Sequence, residues 1–343
     1  MEKVLVGMSG GVDSSAAALI LKEQGYCVTG LTLKLCEEDK EQDLEDAKAV
    51  CEKLEIDHLT LDLKEKFKNS VIDRFIYEYK KGLTPNPCLE CNKHIKFGKM
   101  LDVAIEKGFD KIATGHYARV KKQGERFILK KACDGSKDQS YVLYSLTQHQ
   151  LSHLLLPLGD LTKLEIRAKA EENGLVCASR PDSQDICFVP DGDYASFIEQ
   201  AEGFTALKGD YLDINGNVLG KHQGIIHYTI GQRKGLQIAL GRPQFVIEKS
   251  AADNTVVLGD EEHLFKKEVT VEEVNFIPFD SLEKEMRVTA KLRYRHREQP
   301  ATIYPLENGR VKIVFDQPQR APSSGQGAVF YDGDTVVGGG KIV

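Results

Sequence analysis

The 343-residue chain has no tryptophan and only four methionines, and its acids outnumber its bases for a formal net charge of −6. That balance argues against a sequence-blind coat for nucleic acid, while leaving room for a local basic surface. No apolar run comes near the roughly 20 residues that a helix needs to cross a bilayer. No charged and then apolar leader opens the chain, because a glycine turn begins at Gly7. We therefore expect a cytoplasmic protein with no membrane contact. Two nucleotide signatures are missing as well: the Gly-Lys-[Ser/Thr] ending of a Walker loop and Gly-x-Gly-x-x-Gly. The eight cysteines do not suggest a disulfide framework in such a compartment, so individual thiols are candidates for redox, metal or nucleophilic work.

What the chain does have is a different glycine loop. Val4-Leu5-Val6 reads as a buried strand, residues 16–22 as a helix, and between them lies Gly7-Met8-Ser9-Gly10-Gly11-Val12-Asp13-Ser14-Ser15. A glycine turn that leaves a strand and opens a helix presents free N–H groups to an anion. Asp13 is the unexpected member. A carboxylate beside phosphates is repelled unless a cation intervenes, which implies Mg²⁺ with the nucleotide, with Asp13 as a candidate ligand.

Strand-like runs at 4–8, 28–33, 59–63 and 111–114 alternate with helical faces such as Leu44, Ala47, Cys51 and Leu54. This pattern predicts βαβ units and a parallel sheet, whose ligands bind beyond the carboxyl ends of the strands. A helical stretch is expected from about 140 to 203, and residues 37–46 read as an acidic loop and helix start. After Gly203 short alternating runs and turns such as Asn215-Gly216 and Asn308-Gly309 predict two small β domains. The predicted units are 1–203, 204–268 and 269–343.

Several motifs could carry chemistry. Cys88-Leu89-Glu90-Cys91 follows Thr84-Pro85-Asn86-Pro87, and the pair could be half a zinc site, a redox pair or ordinary loop cysteines. Lys93 and His94 follow closely and could lower a thiol pKa. Cys187 lies between Ile186 and Phe188, which look buried; a core cysteine and a functional loop are both open there. Lys137-Asp138-Gln139 is either a helix start or a ligand contact. Lys291, Arg293, Arg295 and Arg297 would share one face of a strand, where phosphate is the natural partner and a solvated edge the alternative.

Together these motifs resemble the tRNA-specific 2-thiouridylases, members of the PP-loop ATP pyrophosphatases. The resemblance runs the length of the chain, through residues 9–15, 84–93, 113–119, 137–141, 185–188, 231–235, 293–295 and 325–331. It implies a Rossmann-like α/β domain of the adenine nucleotide alpha hydrolase type and two small β domains, the last a tRNA-binding β-barrel. It implies ATP at Gly7, Met8, Ser9, Gly10, Gly11, Val12, Asp13, Ser14 and Ser15, with Leu33 and Gly115 near the adenosine. The O2 of a wobble uridine would be adenylated, and Cys187 would carry a persulfide from a donor protein, with Cys91 as its partner nucleophile. Asn86, Pro87 and Cys88 would form the base pocket. His116, Lys137, Asp138, Gln139, Arg293, Tyr294 and Gln326 would contact tRNA, and the chain would act as a monomer. Some family members carry Asp where this chain has Cys88. Two other readings fit parts of the pattern: another PP-loop adenylating ligase or synthetase, and a non-catalytic, nucleotide-regulated RNA-binding protein.

Overall fold

The computed structural model describes residues 1–36, 41–175, 186–189 and 192–343. Residues 37–40 and the run Asp182-Ser183-Gln184-Asp185, together with Cys177, lie outside the described residues. Among the described residues no helix is long and apolar enough to cross a membrane.

The first sheet is parallel throughout. Strand β1 (Lys3–Gly7) lies between β2 (Cys27–Lys34) and β4 (Lys111–Ala113); β3 (Asp57–Asp62) extends one side and Leu154–Leu155 the other. Its run of small branched residues is buried on both faces. Val4 and Val6 pack toward α1 (Val12–Glu23) and α2 (Glu41–Lys53), whereas Leu5 packs with Phe97, Met100 and Leu101 on the other side. Alternation within a wholly apolar strand is the mark of a sheet covered twice. Three consecutive alanines, Ala16–Ala18, let α1 lie close to the sheet, and Gly30 leaves room for Cys51 of α2, since a Cβ there would come 2.5 Å from Cys51 Sγ.

The order β3-β2-β1-β4 turns back at β1. The crevice between the carboxyl ends of β1 and β4 is therefore the topological switch point, where ligands of such sheets bind.

A second sheet pairs Phe245–Ser250, Thr255–Gly259, Gly209–Leu212 and Val218–His222 in that order. Its apolar side chains, among them Tyr211, Tyr228 and Val246, share one cluster with Phe67, Phe75, Phe188 and Ile198 of the preceding part. The third sheet is a closed antiparallel barrel of six strands. Its order is Phe265–Phe276, Val311–Arg320, Gln299–Pro305, Met286–Lys291, Gly327–Asp332 and Thr335–Ile342, and the last strand pairs back with the first. Ala328 and Phe330 point into the barrel, while Val329 and Tyr331 on the same strand join the core of the first sheet's far face. The barrel is thus packed inside and out.

Two sequence expectations need correction. The basic run is not a strand: pairing stops at Lys291, and residues 292–296 form bends and turns. The four bases therefore do not line one face. The stretch 140–203 is not continuously helical. It holds a short turn Ser140–Leu143, helices Gln148–Ser152, Lys163–Glu172 and Tyr194–Glu202, and the edge strand Leu154–Leu155. One element had no counterpart in the sequence reading: Ala118–Gln123 and Arg126–Lys131 form a hairpin that extends the barrel's sheet, with Lys130 opposite Thr335.

A buried ionic node joins barrel and first domain. Glu78, 4% exposed, accepts Arg74 Nε at 2.9 Å and pairs with Lys341 of the last barrel strand. Arg74 also faces Glu90 at 3.2 Å and Glu273 at 3.4 Å. Removing one member of such a node leaves a charge desolvated without its partner, at a cost of about 3 kcal/mol. Glu78→Leu should lower the midpoint of chemical unfolding accordingly. The double replacement Glu78→Leu with Lys341→Met should recover most of the loss; equal midpoints for the single and double variants would contradict this account.

Candidate active site

The glycine loop occupies the switch point. Gly10 takes a left-handed φ of 73°, and a Cβ there would lie 2.5 Å from Asp43 O, so both conformation and space select glycine. Gly11 is the extended N-cap of α1 and has no side chain to cap it, which leaves the first-turn N–H groups for a ligand. Two serines brace the turn: Ser14 Oγ donates to Gly11 O at 3.1 Å and accepts Ser9 N at 3.1 Å, while Ser15 Oγ donates to Gly11 O at 2.9 Å. Met8, Val12 and Ser15 are buried, so these three can meet a ligand only through their backbone.

Gly115, just beyond β4, closes the other wall. A Cβ on it would stand 2.7 Å from Asp13 C and 2.8 Å from Ser14 N. The segment after β4 touches the first turn of α1 because this residue has no side chain. Leu33 sits near the carboxyl end of β2, half-buried against two apolar clusters.

Asp13 has partners that sequence reasoning missed. Lys163 Nζ donates to both its carboxylate oxygens, at 2.7 and 2.9 Å, and Tyr117 OH donates to Oδ1 at 2.7 Å. The positive charge that a carboxylate in a phosphate site calls for is supplied by Lys163. Among the described residues no group of three or more His, Cys, Asp or Glu is placed to hold a metal. Both Asp13 oxygens accept from Lys163, and Oδ1 from Tyr117 as well. Thr162-Lys163-Leu164-Glu165 is a capping box, so a helix start at Lys163 was readable; its approach to a residue 150 positions away was not.

The thiols converge. Asn86 caps the helix Pro87–Cys91 by accepting Cys88 N at 3.1 Å, and Pro87 occupies its first position. Cys88 is exposed and Cys91 buried. Burial pushes the Cys91 thiol up to about 12; nearby Lys96 opposes this, and Cys187 and Cys88 add to it. Cys88 is exposed by area but crowded, and its pKa is raised by that desolvation against Lys96. Chain segments almost a hundred residues apart thus bring Cys91 and Cys187 within electrostatic range.

Phe188 explains the placement of Cys187. Its ring is 5.7 Å from Phe67, 5.3 Å from Phe75 and 5.3 Å from Phe197, and only 2% of it is exposed. Cys187 itself is exposed beside this anchor, so the core reading fits Phe188 and not the cysteine. The expectation for His94 also needs correction. Its ring lies 3.3 Å from Glu90, and desolvation lowers its pKa despite that carboxylate. The cationic side chain acting on both thiols is Lys96.

Several expected RNA contacts are turned inward. His116 is buried, bonded to Thr114 Oγ1 at 2.8 Å, and desolvation holds its pKa well below the usual value, so the ring is neutral. Asp138 accepts Ala132 N at 3.0 Å and Ser140 Oγ at 2.8 Å. Gln139 accepts Tyr117 N at 2.9 Å, and Lys137 is half-buried beside them. Arg293 donates to Ile230 O at 3.2 Å, Ala321 O at 2.8 Å and Ser323 Oγ at 2.7 Å, stitching the second sheet to the barrel. Gln326 donates to Thr84 O at 2.9 Å, and Thr84 N donates to Ser324 O at 2.8 Å, so the barrel holds the segment that carries Asn86, Pro87 and the cysteines. Tyr294 remains outward, 39% exposed, close enough to Cys88 for that thiol to affect its pKa.

Comparison with known proteins agrees with this architecture. Family models described as tRNA methyl transferase HUP domain, tRNA methyl transferase PRC-barrel domain and aminomethyltransferase beta-barrel domain match residues 2–191, 195–260 and 266–342. The tRNA-specific 2-thiouridylase MnmA of Acetivibrio thermocellus is 52% identical over 355 residues, covering 99% of each chain. Those of Clostridium beijerinckii and Clostridioides difficile are each 50% identical, covering 99% of this chain and 98% of the relative. An α/β nucleotide fold, three convergent thiols and full-length identity at this level lead to one conclusion: the chain belongs to the tRNA-specific 2-thiouridylase family.

Proposed function

We propose that the protein is an ATP-dependent sulfurtransferase that converts a wobble uridine of tRNA to 2-thiouridine. The observation that carries the reading is the approach of Cys187 and Cys88 to Cys91, with Lys96 acting on Cys88 and Cys91, in a chain whose phosphate loop occupies the sheet's switch point. A ligase or a regulatory nucleotide site would have no use for the thiols.

ATP lies along residues 7–15, its adenosine toward Leu33 and Gly115. The first-turn N–H groups of α1 hold the pyrophosphate as it leaves. Magnesium belongs to the substrate here, carried on the nucleotide's phosphates. Uridine O2 attacks the α-phosphorus, the bond to the β-phosphate oxygen breaks, and the base becomes an adenylated imidate with an electrophilic C2. Cys187 carries a persulfide accepted from a donor protein. Cys91 attacks the inner sulfur of that persulfide, forming a Cys91–Cys187 disulfide and freeing the outer sulfur as sulfide. Sulfide adds to C2 and AMP leaves with O2. An external thiol then reduces the disulfide. The flipped base is received at Asn86, Pro87 and Cys88.

Tyr294 is placed to meet tRNA directly. His116, Lys137, Asp138, Gln139, Arg293 and Gln326 are assigned to shaping that surface and holding the cysteine segment, since most of their polar groups are already engaged inside. The reading gives the reaction to a monomer whose three units follow the predicted divisions, in a reducing cytoplasm that keeps the thiols available.

With tRNA, ATP and a persulfide donor, Cys187→Ser should stop 2-thiouridine formation while tRNA-dependent pyrophosphate release continues within about threefold, since adenylation needs no thiol. Full thiolation by Cys187→Ser would overturn the mechanism. A second outcome follows from the buried thiol. With its pKa at about 12 in the tRNA-free protein, Cys91 is protonated across the working range. Its alkylation by iodoacetamide should be far slower than that of exposed Cys133 at pH 7 and should rise about tenfold per pH unit through pH 10. A plateau below pH 9, read by peptide mass spectrometry, would contradict this.

A further inference from the structure

Lys163 stands where two general tendencies oppose it. It is the first residue of the helix Lys163–Glu172, at the positive end of the helix dipole, where a cation is disfavoured. It is also 8% exposed, and lysine is rarely buried without a partner. The ammonium contact with both oxygens of Asp13 works against both penalties. Tyr117 adds a second donor to Oδ1, and its ring lies 5.8 Å from the ammonium. Lys163 is fixed at its other end as well, since its backbone N–H donates to Asp134 Oδ2 at 3.1 Å.

Asp13 needs that partner. It lies in the first turn of α1, inside the loop that receives a polyanion, and its side chain is about one-third exposed to the crevice. An uncompensated carboxylate there would repel a triphosphate through a medium that screens poorly.

We propose that Lys163 is a positioning residue for nucleotide binding: it neutralises Asp13 and holds that side chain with Tyr117, so that the loop accepts a polyanion. This rests only on the ATP-binding part of the function given above. It differs from the sequence expectation, which gave the compensating role to a metal on Asp13. In this structure the two carboxylate oxygens are committed to Lys163, and charge balance in the loop is built into the chain.

The test is equilibrium binding of radiolabelled ATP to the full-length protein without tRNA or sulfur donor, in EDTA and again in Mg²⁺. Lys163→Met should weaken ATP binding at least 30-fold in EDTA. Asp13→Asn alone should bind ATP at least as tightly as the wild type in EDTA. Asp13→Asn with Lys163→Met should return to within about threefold of wild type, because it removes the repelling charge together with its partner. Lys163→Arg, which keeps the charge, should stay within tenfold. A role for Lys163 in packing alone predicts no rescue. A double variant as weak as Lys163→Met, or an Asp13→Asn protein that binds worse in EDTA, would overturn the proposal. Should Lys163→Met fail to fold, the Asp13→Asn measurement decides alone. The two readings fail separately: a wild-type protein that binds ATP with this pattern but makes no 2-thiouridine overturns the thiolation function and supports the role of Lys163.

Discussion

The placement of one aromatic ring conditions the rest of the site. Phe188 packs against Phe67 and Phe75 of the first domain and Phe197 of the following helix, inside a cluster that also contains the second sheet's core. A phenylalanine so enclosed contributes several kcal/mol to holding its segment in place. The residue before it is Cys187. The same core that joins two parts of the chain therefore delivers a thiol from a long connection to the neighbourhood of the Cys91 helix. Without that anchor the two cysteines would be unrelated positions on separate segments.

The other half of the pair is held from the barrel. Ser324 and Gln326 bind the backbone of Thr84, while Glu78, Arg74 and Lys341 link the helix before it to the last barrel strand. Glu90, adjacent to Cys91, belongs to the same ionic node through Arg74. The barrel is thus a structural support of the cysteine helix. This arrangement explains why Arg293 and Gln326, which sequence reasoning placed on the RNA, spend their hydrogen bonds inside: a well-held thiol requires satisfied neighbours.

Much of the scaffold was legible because local chemistry decided it. Val4-Leu5-Val6, the glycines after it and the alanines of α1 leave little choice but a buried strand, a tight turn and a close-packed helix. The barrel strands were readable from alternation, as in Val311, Ile313 and Phe315. What was not legible depended on distant partners. The hairpin at 118–131 was masked by its lysines, although Gly124 marks its turn. Arg293 to Arg297 looked like strand by alternation alone, but the chain bends after Lys291, where Arg293 turns in to carbonyls of two other segments. Lys96 and His94 are two residues apart, and only the fold decides which one reaches the thiols. Lys163 could be placed at a helix start, yet nothing local points it at Asp13.

The central claim is that Cys187 receives the sulfur and Cys91 resolves it. Peptide mass spectrometry of the full-length protein, after loading by a persulfide donor and removal of that donor, tests it most directly. In a Cys91→Ser protein, where the persulfide cannot be resolved, one additional sulfur is expected on Cys187. An additional sulfur on Cys88, with Cys187 unloaded, would contradict it.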